Sequence, residues 1–168
     1  MIETFETLQL DFDKPIFDVI GFNGPIIVTA VAIIQLLYRI SYLIGFIVAS
    51  ILNENLNRLL KNIIKEERPK DGKSFSNEKY GGAHIYGMPS GHSQVVFFVI
   101  TFLWLSTQSI PLLIFTCFVA ALTLVQRYRS KKHTIAQLAG GCAVGGIFGY
   151  ISYKITERYV LTKKSMIL

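Results

Sequence analysis

The sequence predicts an all-α fold: an integral membrane helix bundle of about five transmembrane helices, with four as the alternative count, and a polar site at one membrane face. Composition points there first. Of 168 residues, 51 % are hydrophobic and only 17 % are charged, against about a quarter charged in soluble domains; the mean hydropathy is +0.44. Segregation of charge points there next. Residues 19–38, 80–125 and 134–153 contain no Asp, Glu, Lys or Arg, and a helix needs roughly 20 apolar residues to cross a bilayer. The third observation is that the polar clusters fall at the ends of these runs, on one side of the predicted membrane.

In chain order, residues 1–18 carry five acids against Lys14 and are expected to form an external tail or surface helix. No basic n-region opens the chain, so the first membrane helix is expected to act as its own signal. That helix is expected over Phe22 to Tyr38, with Pro25 suited to a first turn. Arg39 interrupts the run, and a second helix is expected from Ile40, apolar to Leu52 and amphipathic to Ile64. One continuous helix from Pro25 to Leu52, with Arg39 inside it, is the alternative that lowers the count to four. Glu66 to Met88 reads as a loop, with Pro69, Asp71-Gly72, Gly81-Gly82 and Gly87 as turn formers. A third helix is expected from Pro89-Ser90 to Leu105, a fourth over Leu112 to Val125, and a fifth from His133 to Tyr153. A short basic loop, Gln126 to Lys132, joins the last two. The domain division is therefore a polar tail (1–18), a membrane-embedded domain (19–157) and a basic tail (158–168). Gly141, Gly145 and Gly149 share one face of the last helix, which suits close approach by another helix; packing inside the bundle is favoured over dimerisation.

The same arithmetic excludes other classes. Disorder needs low hydrophobicity. Cys117 and Cys142 lie in apolar runs and read as small buried hydrophobes, not as a disulfide framework. Two Cys and three His, with neither CxxC nor HExxH, give no zinc pattern. The net charge of +6 comes from cations at the ends of apolar segments, so a nucleic-acid partner is not expected; the bilayer is.

Three polar clusters carry candidate chemistry. The first is Lys61-Asn-Ile-Ile-Lys65-Glu-Glu-Arg68-Pro69. Lys61, Lys65 and Arg68 are spaced i, i+4, i+7, one face of a helix that Pro69 is expected to end at Arg68. Such cations suit a dianionic phosphate; taken alone, the cluster reads more readily as a basic stripe touching anionic lipid heads. The second is Tyr86-Gly-Met-Pro89-Ser90-Gly91-His92-Ser93. The N–H groups of Ser90, Gly91 and His92 would be unpaired first-turn donors, an anion site at a helix N-terminus; the alternative is a Ser N-cap beside an incidental His. The third runs from Gln126-Arg127 to His133-Thr134-Ile-Ala-Gln137. His133 and Gln137 are i, i+4, so the Gln137 carbonyl can accept from His133 Nδ1–H and leave Nε2 bare and nucleophilic. A positive-inside loop is the alternative. His84, Asp71 and Glu78 read as loop residues.

In order, these motifs resemble the membrane lipid phosphatases of the type 2 phosphatidic acid phosphatase class, which share a site with the vanadium haloperoxidases. The family pattern K-x6-R-P, P-S-G-H and S-R-x5-H-x3-D appears here as Lys61-x6-Arg68-Pro69, Pro89-Ser90-Gly91-His92 and Gln126-Arg127-x5-His133-x3-Gln137. Gln126 departs from the family Ser and Gln137 from the family Asp. The dolichyl diphosphate phosphatase subset is similar at His133-Thr-x-x-Gln137, and also at Asn53-Glu54-x-x-Asn57, Tyr86-Gly-Met-Pro89 and His92-Ser93-Gln94.

The resemblance implies a helical membrane hydrolase acting on a lipid phosphate or diphosphate, with no metal and no cofactor. It implies His133 as the nucleophile that becomes a phosphohistidine, and His92 as general acid and then general base. Lys61, Arg68, Arg127, Ser90 and the Gly91 N–H are the implied phosphate ligands, with Gln137 orienting His133. Phosphatidate or a sphingoid phosphate is the next substrate choice, and a catalytically weak lipid-binding scaffold the non-enzymatic one. A channel or transporter would place ionisable groups inside the spans, yet these spans carry almost none besides Arg39. Setting the site cations aside, Lys154, Arg158, Lys163 and Lys164 suggest a cytosolic C-terminus, hence a lumen-facing site in the endoplasmic reticulum or another endomembrane.

Overall fold

Six α-helices make up a computed structural model that describes residues 15–73 and 82–165. They are α1 (Ile16–Phe22), α2 (Gly24–Leu36), α3 (Ile40–Ile64), α4 (Gly91–Thr107), α5 (Ile110–Arg129) and α6 (Ile135–Ser165). Among the described residues there is no strand, only an isolated antiparallel bridge between Glu67 and Tyr86 and a 3-10 turn at Gly82–Ile85. The all-α expectation therefore holds. Helices α3, α5 and α6 are long and apolar enough to cross a membrane, and α1 with α2, bent by 65°, makes a fourth candidate. The apolar α4 is shorter, 17 residues, which is about 25 Å at 1.5 Å per residue.

The chain leaves helical geometry between α2 and α3, so the continuous helix from Pro25 to Leu52 does not form. Arg39 is the reason. Its backbone is non-helical (φ −129°, ψ 64°), its guanidinium donates to the Ser106 carbonyl near the end of α4, and it lies 5.5 Å over the Tyr42 ring. A cation inside a span is costly; at a break it reaches a carbonyl and an aromatic face. The same contact marks the α2–α3 turn and the end of α4 as one end of the bundle. Phe22, the last residue of α1, marks the other: its ring is 5.7 Å from His92 at the start of α4 and 5.4 Å from the Arg127 guanidinium at the end of α5. Helices α2 to α6 thus alternate in direction between the two ends. Most of the acidic segment expected over 1–18 lies outside the described residues; Asp18 belongs to α1 and pairs with Arg129 at 3.8 Å.

The interior is aromatic and tightly filled. Phe46 of α3 meets Phe98 and Phe102 of α4 at centroid distances of 5.6 and 5.4 Å, over buried Val28, Val99 and Leu103. The outer faces are apolar too: Ile47, Ile51, Ile114, Phe118, Ile147 and Ile155 are all exposed. A helix that is hydrophobic all round needs an apolar medium outside as well as inside. Cys117 faces outward, not into the core as expected, and neither Cys is bridged.

The glycine face of α6 lies on α4. A Cβ at Gly141 would come within 2.5 Å of the Ser90 carbonyl oxygen and one at Gly149 within 2.8 Å of that of Phe98; one at Gly145 would overlap the Gln94 carbonyl oxygen. Backbone thus meets backbone along three turns, and the stripe packs inside the bundle. Gly145→Val is expected to lower the melting temperature in detergent, by the ~1–3 kcal/mol of a forced overpacking. Gly146→Val is the control, because a Cβ there meets only Thr101 Oγ1 at 3.8 Å. Equal melting temperatures for the two variants would contradict this packing.

Candidate active site

All three polar clusters converge at the Phe22 end of the bundle, although two of their supporting elements differ from expectation. Helix α3 stops at Ile64, and Lys65 turns into the left-handed region (φ 53°). Lys65 therefore leaves the face that carries Lys61, and Arg68 reaches the site from an extended segment, not from a helix. That segment is strapped down: Glu67 bridges Tyr86, and Gly87 N–H donates to the Glu66 carbonyl at 2.7 Å. Helix α5, in turn, continues to Arg129, so Gln126 and Arg127 sit in its buried last turns, not in a loop. The true loop is Ser130 to Thr134, and Ser130 accepts from Lys73 N–H at 2.9 Å, which brings the first and third clusters together.

Lys61 and Arg127 are each only 1 % exposed. Lys61 Nζ donates to the Tyr86 carbonyl at 2.7 Å. Arg68 spans the mouth: Nε and Nη2 donate to the His84 carbonyl at 3.2 and 3.0 Å, and Nη1 to the Lys132 carbonyl at 3.2 Å. His84 thus contributes a carbonyl that anchors Arg68. Its ring lies 3.9 Å from Glu54, and its pKa is lowered by burial first.

Arg68 Nη1 also lies 3.0 Å from His133 Nε2. A guanidinium has only donors, so Nε2 must present its lone pair and the proton must sit on Nδ1. Gln137 meets that proton: its Oε1 is 3.2 Å from Nδ1 and accepts from Thr134 N–H, also at 3.2 Å. The other end of the amide donates to Glu66 Oε1 at 2.7 Å and to the Glu67 carbonyl at 2.8 Å. With a pure donor at one end and a backbone acceptor at the other, the amide has one orientation. Gln137 N–H donates to Thr134 Oγ1 at 3.2 Å, completing a capping box at the start of α6. The T-x-x-Q spacing carried that signal; the contributions of Glu66, Glu67 and Gly87 had none. A Cβ at Gly87 would strike the Gln137 amide at 2.5 Å.

His92 is buried in the first turn of α4. The Phe22 backbone hydrogen-bonds to it, and the charges of Arg127, His133 and Arg68 act on it. Ser90 caps α4 through Ser93 N–H at 3.5 Å. Ser90 N–H is not a spare donor, as expected from sequence, because it donates to the Gln137 carbonyl at 3.0 Å. Gly91 N–H is then the first donor of the helix, with no intrahelical acceptor. Behind this turn lies a buried amide network: Asn57 Nδ2 donates to Gln94 Oε1 at 2.8 Å, and Gln94 Nε2 to Asn53 Oδ1 at 2.9 Å. It ties α3 to α4 beneath the two histidines. Among the described residues no group of His, Cys, Asp or Glu is arranged to hold a metal ion.

The arrangement is a cationic pocket with an unprotonated imidazole nitrogen, that of His133, beside Arg68 and a second imidazole, that of His92, close by. Burial first, then Arg68, Arg127 and Lys61, hold the His133 pKa far below the ordinary imidazole value. Such a pocket suits an oxyanion and keeps the ring neutral and nucleophilic.

The model of the PAP2 superfamily matches residues 28–160, more than half of the chain. No curated protein sequence matches. Among solved structures, the chain is similar to the first transmembrane PAP2 type phosphatidylglycerolphosphate phosphatase from Bacillus subtilis. The two share 15 % sequence identity and a TM-score of 0.56, over 90 % of this chain and 89 % of that one. At that identity the likeness speaks for the fold.

Because its pKa is lowered, the fold favours neutral His133. That stability is fully present above the ordinary value of 6.5 and is lost as pH falls below it. Nitrogen-15 spectra of histidine-labelled protein are expected to show His133 protonated on Nδ1 alone, without titrating as pH falls from 8 to 5.5 (about one unit below that value). A His133 ring that titrates near 6.5, or carries its proton on Nε2, would contradict the geometry.

Proposed function

The chain belongs to the PAP2 superfamily, and on that premise we propose that it is a membrane lipid phosphatase working through a phosphohistidine. The observation that carries the proposal is the single tautomer of His133, with Nδ1–H held by Gln137 and the unprotonated Nε2 facing Arg68. His133 Nε2 attacks the terminal phosphorus, and the bond from phosphorus to the bridging oxygen breaks. His92 gives its proton to the leaving oxygen. Water then attacks the phosphorus, His92 takes a proton from it, the P–N bond breaks and phosphate leaves. Lys61, Arg68, Arg127, the Ser90 side chain and the Gly91 N–H hold the phosphoryl oxygens, and their positive field stabilises the charge those oxygens carry in the transition state. Arg68 has a second part. Its Nη1–H occupies the Nε2 lone pair in the empty site, and an arriving phosphoryl oxygen takes over that hydrogen bond and frees the nucleophile.

The substrate keeps its tail in the bilayer and offers its phosphate at the rim. A polyprenyl (dolichyl-type) diphosphate is the proposed substrate. Supporting this, the residues that mark the diphosphatase resemblance act as one connected support: Asn53, Asn57 and Gln94 hydrogen-bond together, Tyr86 accepts from Lys61, and Gly87 packs on Gln137. The site faces the lumen of the endoplasmic reticulum or another endomembrane, with the C-terminus cytosolic.

Detergent-purified protein with EDTA present is expected to release phosphate fastest from dolichyl diphosphate, ahead of an isoprenoid monophosphate, phosphatidate and phosphatidylglycerolphosphate. His133→Ala abolishes release, and His92→Ala lowers it by about 10²–10⁴-fold, the usual worth of acid–base catalysis. Full activity in His133→Ala would reject the nucleophile, dependence on added metal would reject the metal-free route, and a preference for phosphatidate would reject the diphosphate.

A further inference from the structure

One carboxylate stands directly behind the nucleophile and has no part in the scheme above. Glu66 Oε1 accepts from Gln137 Nε2 at 2.7 Å, while the other end of that amide holds His133 Nδ1–H. We infer that Glu66 is a positioning residue for the nucleophile, linked through the Gln137 amide in a carboxylate–amide–imidazole chain. The inference rests on the reading of His133 as nucleophile.

The chemistry of the chain follows from its two hydrogen bonds. The amide is uncharged and passes no proton. A carboxylate accepting from one end of an amide polarises it, so the oxygen at the other end becomes a stronger acceptor. That oxygen faces Nδ1–H, and when Nε2 bonds to phosphorus the ring gains positive charge at that hydrogen. The need is acute here, because Arg68, Arg127 and Lys61 already oppose positive charge on His133. Glu66 is thus a distant counter-charge where, among the described residues, no carboxylate is bonded to the ring itself.

The backbone keeps the chain in register. Gly87 N–H fixes the Glu66 carbonyl at 2.7 Å, and the bare face of Gly87 leaves room for the amide. The Glu67 carbonyl takes the second Nε2 hydrogen at 2.8 Å, so the amide stays in place when Glu66 is altered. Glu66 itself is exposed; water screens its charge, which limits the effect to about tenfold and spares the fold.

The test is steady-state kinetics on short-chain polyprenyl diphosphate in detergent, with melting temperatures recorded for every variant. Glu66→Gln and Glu66→Ala are each expected to lower kcat about tenfold, with KM changed less than about twofold and melting unchanged; tenfold corresponds to about 1.4 kcal/mol of barrier. Gln137→Glu is expected to lower kcat further, because it sets a carboxylate oxygen against Glu66. Adding Glu66→Gln to Gln137→Glu is expected to recover activity above Gln137→Glu alone, since an amide then donates to the carboxylate that holds His133. Wild-type kcat in both Glu66 variants, or losses that simply multiply in the combination, would overturn the inference. His133→Ala separates the two levels. If it stays active, the nucleophile reading itself fails; if it is dead while the Glu66 variants are normal, only the chain through Gln137 fails.

Discussion

The side-chain amide of Gln137 is the joint on which the site depends. It is wholly buried and makes four hydrogen bonds, to His133, Thr134, Glu66 and Glu67. An unpaired polar group at such a position costs about 1–3 kcal/mol, and here each donor and acceptor is used. The same residue completes the α6 cap, its N–H donating to Thr134 Oγ1, and its backbone carbonyl receives Ser90 N–H. One residue, through side chain and backbone together, therefore couples the start of α6, the turn before α4 and the strap that carries Arg68. The tautomer of His133 is a consequence of this joint.

Around it the fold has assembled positive charge at one end of the helix bundle. Burying cations is costly unless they are hydrogen-bonded, and the chain meets that cost with backbone carbonyls: Tyr86 for Lys61, His84 and Lys132 for Arg68. These carbonyls belong to two segments that leave α-helical geometry, 82–90 and 130–134. Irregular backbone supplies the acceptors that a finished helix has already used. Rigidity comes from elsewhere, from the glycine face of α6 against α4 and the aromatic core beneath it. Donors held in place before charge develops need no reorganisation during the reaction.

Much of this could be read from the residues because it follows from period and composition. Charge-free runs mark membrane helices, and three glycines at a spacing of four mark a close helix contact. The pairing of His133 with Gln137 follows from i, i+4 geometry. The ends of helices were less readable. Pro69 correctly forbids helix at Arg68, and α3 ends at Ile64, the end of its amphipathic pattern, and not at Arg68. The stop is fixed by contacts distant in sequence, Glu67 with Tyr86 and Glu66 with Gly87. Helix α5 runs past its expected end because Arg127 is received by Phe22, more than a hundred positions earlier. Glu66 and Gly87 carry no local sign of their part, since each acts on Gln137 across the fold.

The central claim is that His133 attacks through Nε2 because Nδ1 is held. Its most direct test is to quench His92→Ala protein during turnover of phosphorus-labelled lipid diphosphate and locate the label by mass spectrometry. The site described here predicts an acid-labile phosphoryl group on Nε2 of His133. Label on Nδ1, on another residue, or nowhere while phosphate is still released would contradict it.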